Sequence, residues 1–444
     1  MGPTLSELPD LLKRPWLFDV EGPVDLRGAL TQATQQIAEA REEGLGDGVL
    51  LCFEDRARFL AAWLAALMEE VPVFLADPKW GRRQWAEVEE LLAPGLTLSD
   101  SPIPFHPPPG PERIGFNGCV GIPTGGTGGR VKFALHRWET LRASAEATAR
   151  FFAQGQLHGH CLLPLHHVSG LMQAVRALTT GGELMLGDPV DPVASLTATT
   201  IPAGTLSLVP TQLTRLLQRP QAVPALRKCS LIFLGGGPAS DTLLAQAREA
   251  RLPLSPVYGM TETASMVAAQ RPDAFLEKEG LTLEALPHAQ IDVKNERVVV
   301  SAESLFLGYY PEMPRPRERF VTNDRGVLTT AGRLRLLGRA DRILNSGGEK
   351  VDAARVEAAI LEAKLAADCV VLGLADSEWG AVVAALLVAY PEAAAMDLSA
   401  LREALSPHLA PAERPKHALW VDAIPRTAAG KPDWPAIERQ FDRT

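Results

Sequence analysis

Lys431 closes a turn near the end of the chain, Pro425-Arg426-Thr427-Ala428-Ala429-Gly430-Lys431, and segments suited to phosphate lie far upstream of it. The segment Thr124-Gly125-Gly126-Thr127-Gly128-Gly129-Arg130-Val131-Lys132 concentrates glycines and hydroxyls. Its unobstructed backbone N–H groups can wrap phosphate oxygens while Lys132 adds positive charge. A Walker loop needs Lys directly after its last Gly and then Ser or Thr. Here Arg130 and Val131 intervene and Phe133 follows, so a P-loop NTPase is disfavoured, and a dinucleotide fingerprint fits no better. In Tyr258-Gly259-Met260-Thr261-Glu262-Thr263 a hydroxyl and a carboxylate follow a short apolar stretch, a combination suited to a nucleotide phosphate and its magnesium ion. A flexible ammonium at Lys431 could reach charge developing on a phosphate and a carboxylate. Taken singly, the loop reads equally well as a glycine-rich surface turn, the 258–263 segment has a buried polar turn as its lesser alternative, and a lone lysine reads as exposed; their co-occurrence favours chemistry.

The elements that must position these residues follow a crossover rhythm. Residues 46–76 read as strand, helix, strand: Gly48-Val49-Leu50-Leu51-Cys52, an Ala/Leu/Trp-rich helix through Leu67, then Val71-Pro72-Val73-Phe74-Leu75. Leu206–Val209 precedes a helix over 211–217, and Leu231–Leu234 precedes another, begun by Ser240 or Asp241 as N-cap. Each strand ends in Pro or Gly and a turn, where open α/β sheets place their ligands. The stretch from Pro102 to Pro111 reads as a Pro-rich connector. Beyond Gly338-Arg339 the pattern changes to a compact alternation of helix and strand, which divides the chain into residues 1–338 and 339–444 with a hinge near Asp341. Asp352 can cap a helix carrying Val356, Ala359, Ile360 and Ala363, followed by strands at 369–374 and 381–390.

The composition sets bounds on partners. With 46% hydrophobic and 22% charged residues over 444 positions, the chain is long enough for more than one globular domain. A net charge of −9 argues against a nucleic-acid or anionic-membrane surface, and points to small-molecule partners. Cys52, Cys119, Cys161, Cys229 and Cys369 are odd in number and show no C-x-x-C pair, as expected of a reduced compartment. Without a signal-like N-terminus or a run of 18 uncharged apolar residues, a cytoplasmic protein without membrane insertion is the expectation.

In this order the segments resemble the signatures of the acyl-adenylate-forming superfamily, which includes acyl-CoA synthetases, peptide-synthetase adenylation domains and luciferases. Val131 and Phe133 stand where that pattern usually has Pro and Gly, and Asn323 where it has Gly. The resemblance implies an α/β fold: a large N-terminal domain of mostly parallel sheets with flanking helices, plus a small mobile α+β C-terminal domain. It implies ATP, Mg²⁺ and coenzyme A, with a carboxylic acid as acyl substrate. By it, Thr124, Gly125, Gly126, Thr127, Gly128, Gly129 and Lys132 hold phosphate, Thr261 contacts the α-phosphate and Glu262 the metal. Tyr258, Gly259 and Met260 border the nucleotide, and Gly235, Gly236, Gly237 and Pro238 form the adenine-side turn. Asp324 and Arg339 bind the ribose hydroxyls, Lys431 is catalytic, Asp341 is the hinge, and Gly347 and Gly348 line the pantetheine tunnel.

A narrower resemblance, to the o-succinylbenzoate-CoA ligases of menaquinone or phylloquinone biosynthesis, rests on Leu163-Pro164-Leu165-His166-His167-Val168-Ser169-Gly170-Leu171, with Arg176 seven residues after Ser169. Val73–Trp80 and His136–Thr140 add weaker support. The substrate has two carboxylates, so the one that is not activated needs a cation. Arg176 in an apolar helix fits that need, with Ser169 as a donor, while His167 packs on the ring or gates the tunnel. Gly259 and Thr263 complete the acyl side. The alternative for Arg176 is a snorkelling residue whose head reaches solvent, and His166 reads as structural. Ligation of another acid, transfer to a carrier protein, and a nucleotide-binding pseudoenzyme remain open on the sequence, as does a homo-oligomer.

Overall fold

The computed structural model describes residues 3–104, 115–125, 130–198, 204–277, 280–346, 349–376, 380–391, 394–427 and 432–442. Most of the expected Pro-rich connector falls outside them. The strand-helix-strand unit expected over 46–76 is present as Val49–Cys52, Arg56–Met68 and Val73–Leu75, with the two strands parallel. Asp55 starts the helix because its carboxylate accepts from the amides of Ala57 and Arg58, which have no partner inside the first turn. Every residue from Phe59 to Leu67 is buried, so this helix packs on all sides. The strand beside it is covered on both faces: Val49 and Leu51 join one apolar cluster, Leu50 and Cys52 another.

These strands belong to a five-stranded sheet that ends in the antiparallel pair Val120–Gly125 and Val131–His136. A nine-stranded sheet is parallel through Gly159–Cys161, Thr205–Leu208, Leu231–Leu234 and Leu254–Met260. One apolar cluster unites strand residues of both sheets with the helices Arg56–Met68, Trp138–Phe151 and Val168–Thr180. The expected units at 206–217 and 231–241 are here: Thr205–Leu208 leads into helix Pro210–Leu217, and Leu231–Leu234 into helix Asp241–Glu249. Ser240 is the cap of the latter, accepting from the Leu243 amide at 3.2 Å.

A four-stranded antiparallel sheet follows, from Ala289–Lys294, Arg297–Ala302, Phe320–Leu328 and Leu334–Arg339. Past Arg339 a 3-10 turn, Ala340–Arg342, leads into a separate five-stranded sheet. There Asp352 caps helix Ala353–Glu362, whose Val356, Ala359 and Ile360 are buried. The two strands expected after that helix pair antiparallel as Asp368–Asp376 and Gly380–Val388. Among the described residues no helix is long and apolar enough to cross a membrane, and the five cysteines are free and buried.

Candidate active site

The site is built around the end of strand Leu254–Met260. Its register against Ser265–Ala269 shifts between Tyr258 and Gly259. A Cβ on Gly259 would lie 2.0 Å from the Ser265 carbonyl oxygen and 2.6 Å from the Met266 Cα, so only glycine lets the strands approach here. The chain then makes the 3-10 turn Thr261–Thr263 and returns through Ala264 and Ser265, both with positive φ, 48° and 81°. The Thr263 hydroxyl, buried under the turn, accepts from the Met260 amide at 2.9 Å and donates to the Ser265 carbonyl at 2.6 Å. Thr263 therefore shapes the turn from within, while Thr261 and Glu262 are left on its partly exposed side.

Two residues not singled out as functional in the sequence hold this turn to the phosphate loop. His136, on the strand that leaves the loop, is fully buried, with Nε2 2.8 Å from the Thr261 carbonyl and Nδ1 3.0 Å from the Thr140 hydroxyl. Burial pulls its imidazole down to about 4, against the Thr261 hydrogen bond, so the ring is neutral. Because a carbonyl only accepts, Nε2 carries the proton. Tyr309 donates its hydroxyl to Glu262 Oε1 at 2.6 Å, and Lys132 Nζ sits 5.3 Å from the centre of its ring. Thr124 and Lys132 are cross-strand partners at the mouth of the loop hairpin. Gly126, Thr127, Gly128 and Gly129 lie outside the described residues. Phe133, one of the departures from the resembled pattern, is buried edge-on against Phe74 at 5.2 Å.

On the neighbouring four-stranded sheet Asp324 and Arg339 stand opposite each other. Arg339 NH1 is 3.3 Å from Asp324 Oδ1, and the Tyr258 hydroxyl donates to Asp324 Oδ2 at 2.8 Å. Burial, with the Asp324 charge beside it, pushes the Tyr258 phenol up, so it stays a donor. Arg339 also grips Asp341 through Nε and NH2 at 2.8 and 2.6 Å, and Asn323 donates to the same carboxylate. The residues expected at the ribose and at the hinge thus form one network with Tyr258. Gly235, Gly236, Gly237 and Pro238 follow strand Leu231–Leu234, and Gly236 has φ 81°. A Cβ on Gly235 would meet a Val257 methyl at 2.8 Å.

The acyl side begins with helix Val168–Thr180. Arg176 is 3% exposed, which rules out snorkelling to solvent. Its NH2 donates to the Ser265 hydroxyl at 2.9 Å and its guanidinium lies 5.3 Å over the Phe233 ring. Burial pulls it down to about 10, leaving it charged at neutral pH. Its Nε has no hydrogen-bond partner, and no carboxylate pairs with it among the described residues. Ser169 lies two turns earlier, partly buried, with its carbonyl accepting from Gln173. His167 is the residue before the helix, its ring 4.4 Å from that of His166. His166 Nε2 is 3.5 Å from Asp77 Oδ2. Burial opposes ionisation of Asp77, but His166 holds its carboxyl below the usual range. His166 therefore has a structural partner, as its sequence context suggests.

The Thr261 hydroxyl and Glu262 carboxylate are hard oxygen donors of the kind Mg²⁺ takes. Lys431, Gly347 and Gly348 lie outside the described residues. The base of the lysine's turn is fixed by a bridge between Arg426 and Pro432, and Arg426 pairs with Asp368 at 2.8 Å.

Residues 107–310 match the AMP-binding enzyme family and residues 355–431 the AMP-binding enzyme C-terminal domain. A 2-succinylbenzoate–CoA ligase from Bacillus licheniformis is 31% identical over 326 residues, covering 69% of this chain and 67% of that protein. This chain belongs to the AMP-binding enzyme family. The corresponding ligase of Enterococcus faecalis is 31% identical, with 69% of this chain and 66% of that protein covered, so the matches span about two thirds of these relatives. The structure of o-succinylbenzoate CoA synthetase from Bacillus subtilis, solved with its acyl-adenylate intermediate, superposes with a TM-score of 0.79 at 23% identity over 97% of both chains. The two-domain α/β fold of that family is the fold of this chain.

Proposed function

We propose that this family member activates 2-succinylbenzoate with ATP and passes the acyl group to coenzyme A, giving 2-succinylbenzoyl-CoA, AMP and pyrophosphate. The observation that carries the choice of acid is Arg176: a charged, buried guanidinium with an unused donor, above an aromatic ring, is held ready for a carboxylate. The two succinylbenzoate ligases at 31% identity support the same acid.

In the first step a carboxylate oxygen attacks the α-phosphorus and pyrophosphate leaves, which converts a poor leaving group into the mixed anhydride of AMP. Lys132 and the loop amides hold the phosphates, Thr261 the α-phosphate, and Asp324 with Arg339 the ribose. Held by Glu262, Mg²⁺ when bound offsets charge on the phosphates. Lys431 neutralises charge developing at the reacting centre. In the second step the coenzyme A thiol loses its proton, its sulfur bonds to the acyl carbon, and AMP departs. Residues 1–338 and 339–444 act as two domains; rotation of the smaller about Asp341 withdraws Lys431 and brings Gly347 and Gly348 to the pantetheine path. Such an enzyme works in the cytoplasm on a precursor of menaquinone or phylloquinone.

The test is incubation with ATP, Mg²⁺, coenzyme A and a panel of aryl and fatty acids, following pyrophosphate and thioester. Thioester from 2-succinylbenzoate above all other acids is expected. Preference for an acid lacking a second carboxylate would overturn the substrate, and pyrophosphate release with no acid would overturn the ligase reading.

A further inference from the structure

The segment from Phe306 to Tyr310 is tied to both halves of the phosphate site. Its Leu307 and Tyr310 amides donate to the carbonyls of Leu135 and Phe133, and its Gly308 carbonyl accepts from the Leu135 amide, so it runs as an extra edge along the strand that leaves the loop. Its Phe306 amide donates to the Glu262 carbonyl at 2.8 Å. The side chain that spans the gap is Tyr309, with its hydroxyl on Glu262 Oε1 at 2.6 Å and its ring under the Lys132 ammonium.

We propose that Tyr309 is a positioning residue that sets the Glu262 carboxylate for the metal and parks the Lys132 ammonium on its ring until phosphate draws it away. An ionised carboxylate on a turn has several rotamers, and a charge-assisted bond to one oxygen selects one and leaves Oε2 for a cation. The phenol is suited to this task because its hydroxyl has a single proton to give and the segment that carries it is itself bonded to the Glu262 carbonyl. A cation held 5.3 Å over an aromatic ring is bound weakly enough to be released to a polyphosphate. Glu262 and Lys132, which sequence places 130 positions apart, are thereby set by one side chain. The proposal rests on Glu262 being the metal ligand in the reading above, and its test needs no acyl substrate.

The experiment measures ATP binding by equilibrium dialysis across a Mg²⁺ titration, for the wild type, Tyr309→Phe, Tyr309→Leu, Glu262→Ala and the Tyr309→Phe/Glu262→Ala double variant, each checked for an unchanged circular dichroism spectrum. Tyr309→Phe keeps the ring and removes only the hydroxyl. It is expected to raise the Mg²⁺ concentration for half-maximal binding about tenfold, the scale for losing a partner that orients a ligand, while ATP binding without Mg²⁺ stays as in the wild type. In the Glu262→Ala background the same change is expected to do nothing further. Tyr309→Leu, which also frees Lys132, is expected to alter ATP binding without Mg²⁺. An unshifted Mg²⁺ titration for a folded Tyr309→Phe, or an additive effect in the double variant, would overturn the proposal. Failure of 2-succinylbenzoate to turn over would instead strike the functional reading and leave these titrations to stand.

Discussion

Arg176 shows how far a single residue's surroundings decide its role. A guanidinium that retains charge at 3% exposure keeps an unpaired donor at a cost unless a ligand completes the site. Arg176→Ala is therefore expected to raise KM for 2-succinylbenzoate at least about tenfold while benzoate analogues without the succinyl acid change little. Steady-state kinetics on both acids checks this, and equal effects would remove Arg176 from the pocket. For Lys431→Ala the expected loss in adenylation is at least about 10²-fold, the scale of one charge contact in a transition state, with thioester formation from supplied acyl-adenylate retained. Rapid-quench assays of the two half-reactions decide it, since equal losses contradict a lysine that serves only the first. Tyr258, Glu262, Asp324 and Arg339 were singled out because their short segments resemble family motifs, and the structure adds that Tyr258, Asp324 and Arg339 share one hydrogen-bonded network. His136 and Tyr309 were not, because their roles come from contacts across 125 and 47 positions that no local pattern encodes.

At the scale of elements, the turn after strand Leu254–Met260 depends on close approach of two backbones. Gly259→Ala would drive a methyl to 2.0 Å from a carbonyl oxygen that cannot move without dismantling the buried Thr263 bonds. The expected outcome is a fall in the unfolding midpoint together with loss of ATP binding, measured by calorimetry and dialysis; intact ATP binding would mean the bulge is not needed to place Thr261 and Glu262. The parallel strands were readable from apolar runs such as Val49–Cys52, and helix starts from Ser240 and Asp352, since periodicity and capping are local physics. That Phe306–Tyr310 runs as an added edge was not readable. Its pairing partner, the strand Val131–His136, lies far away in sequence and is fixed by tertiary packing.

Across the described residues, His136, His160 and His288 are buried in neutral form. Burial pulls His136, His160 and His288 each down to about 4, whereas in the unfolded chain an imidazole titrates near about 6.5. Between those values the unfolded state binds more protons. The stability these groups contribute is thus complete above the unfolded value and lost as pH falls towards 4. The unfolding midpoint should be level from about pH 8 to 7 and drop steeply below about 6.5. His288→Gln should make that drop shallower in a calorimetric pH series; parallel curves for variant and wild type would show that His288 is not one of the groups responsible.

The five sulfhydryls have a practical consequence for following this chemistry. Each is sealed in the interior, and burial holds the thiols of Cys52 and Cys229 up at about 12, far from the reactive anion. A chromogenic disulfide reagent added to samples withdrawn from the native reaction should therefore count only the coenzyme's remaining sulfhydryl, so its consumption can be followed with no background from the catalyst.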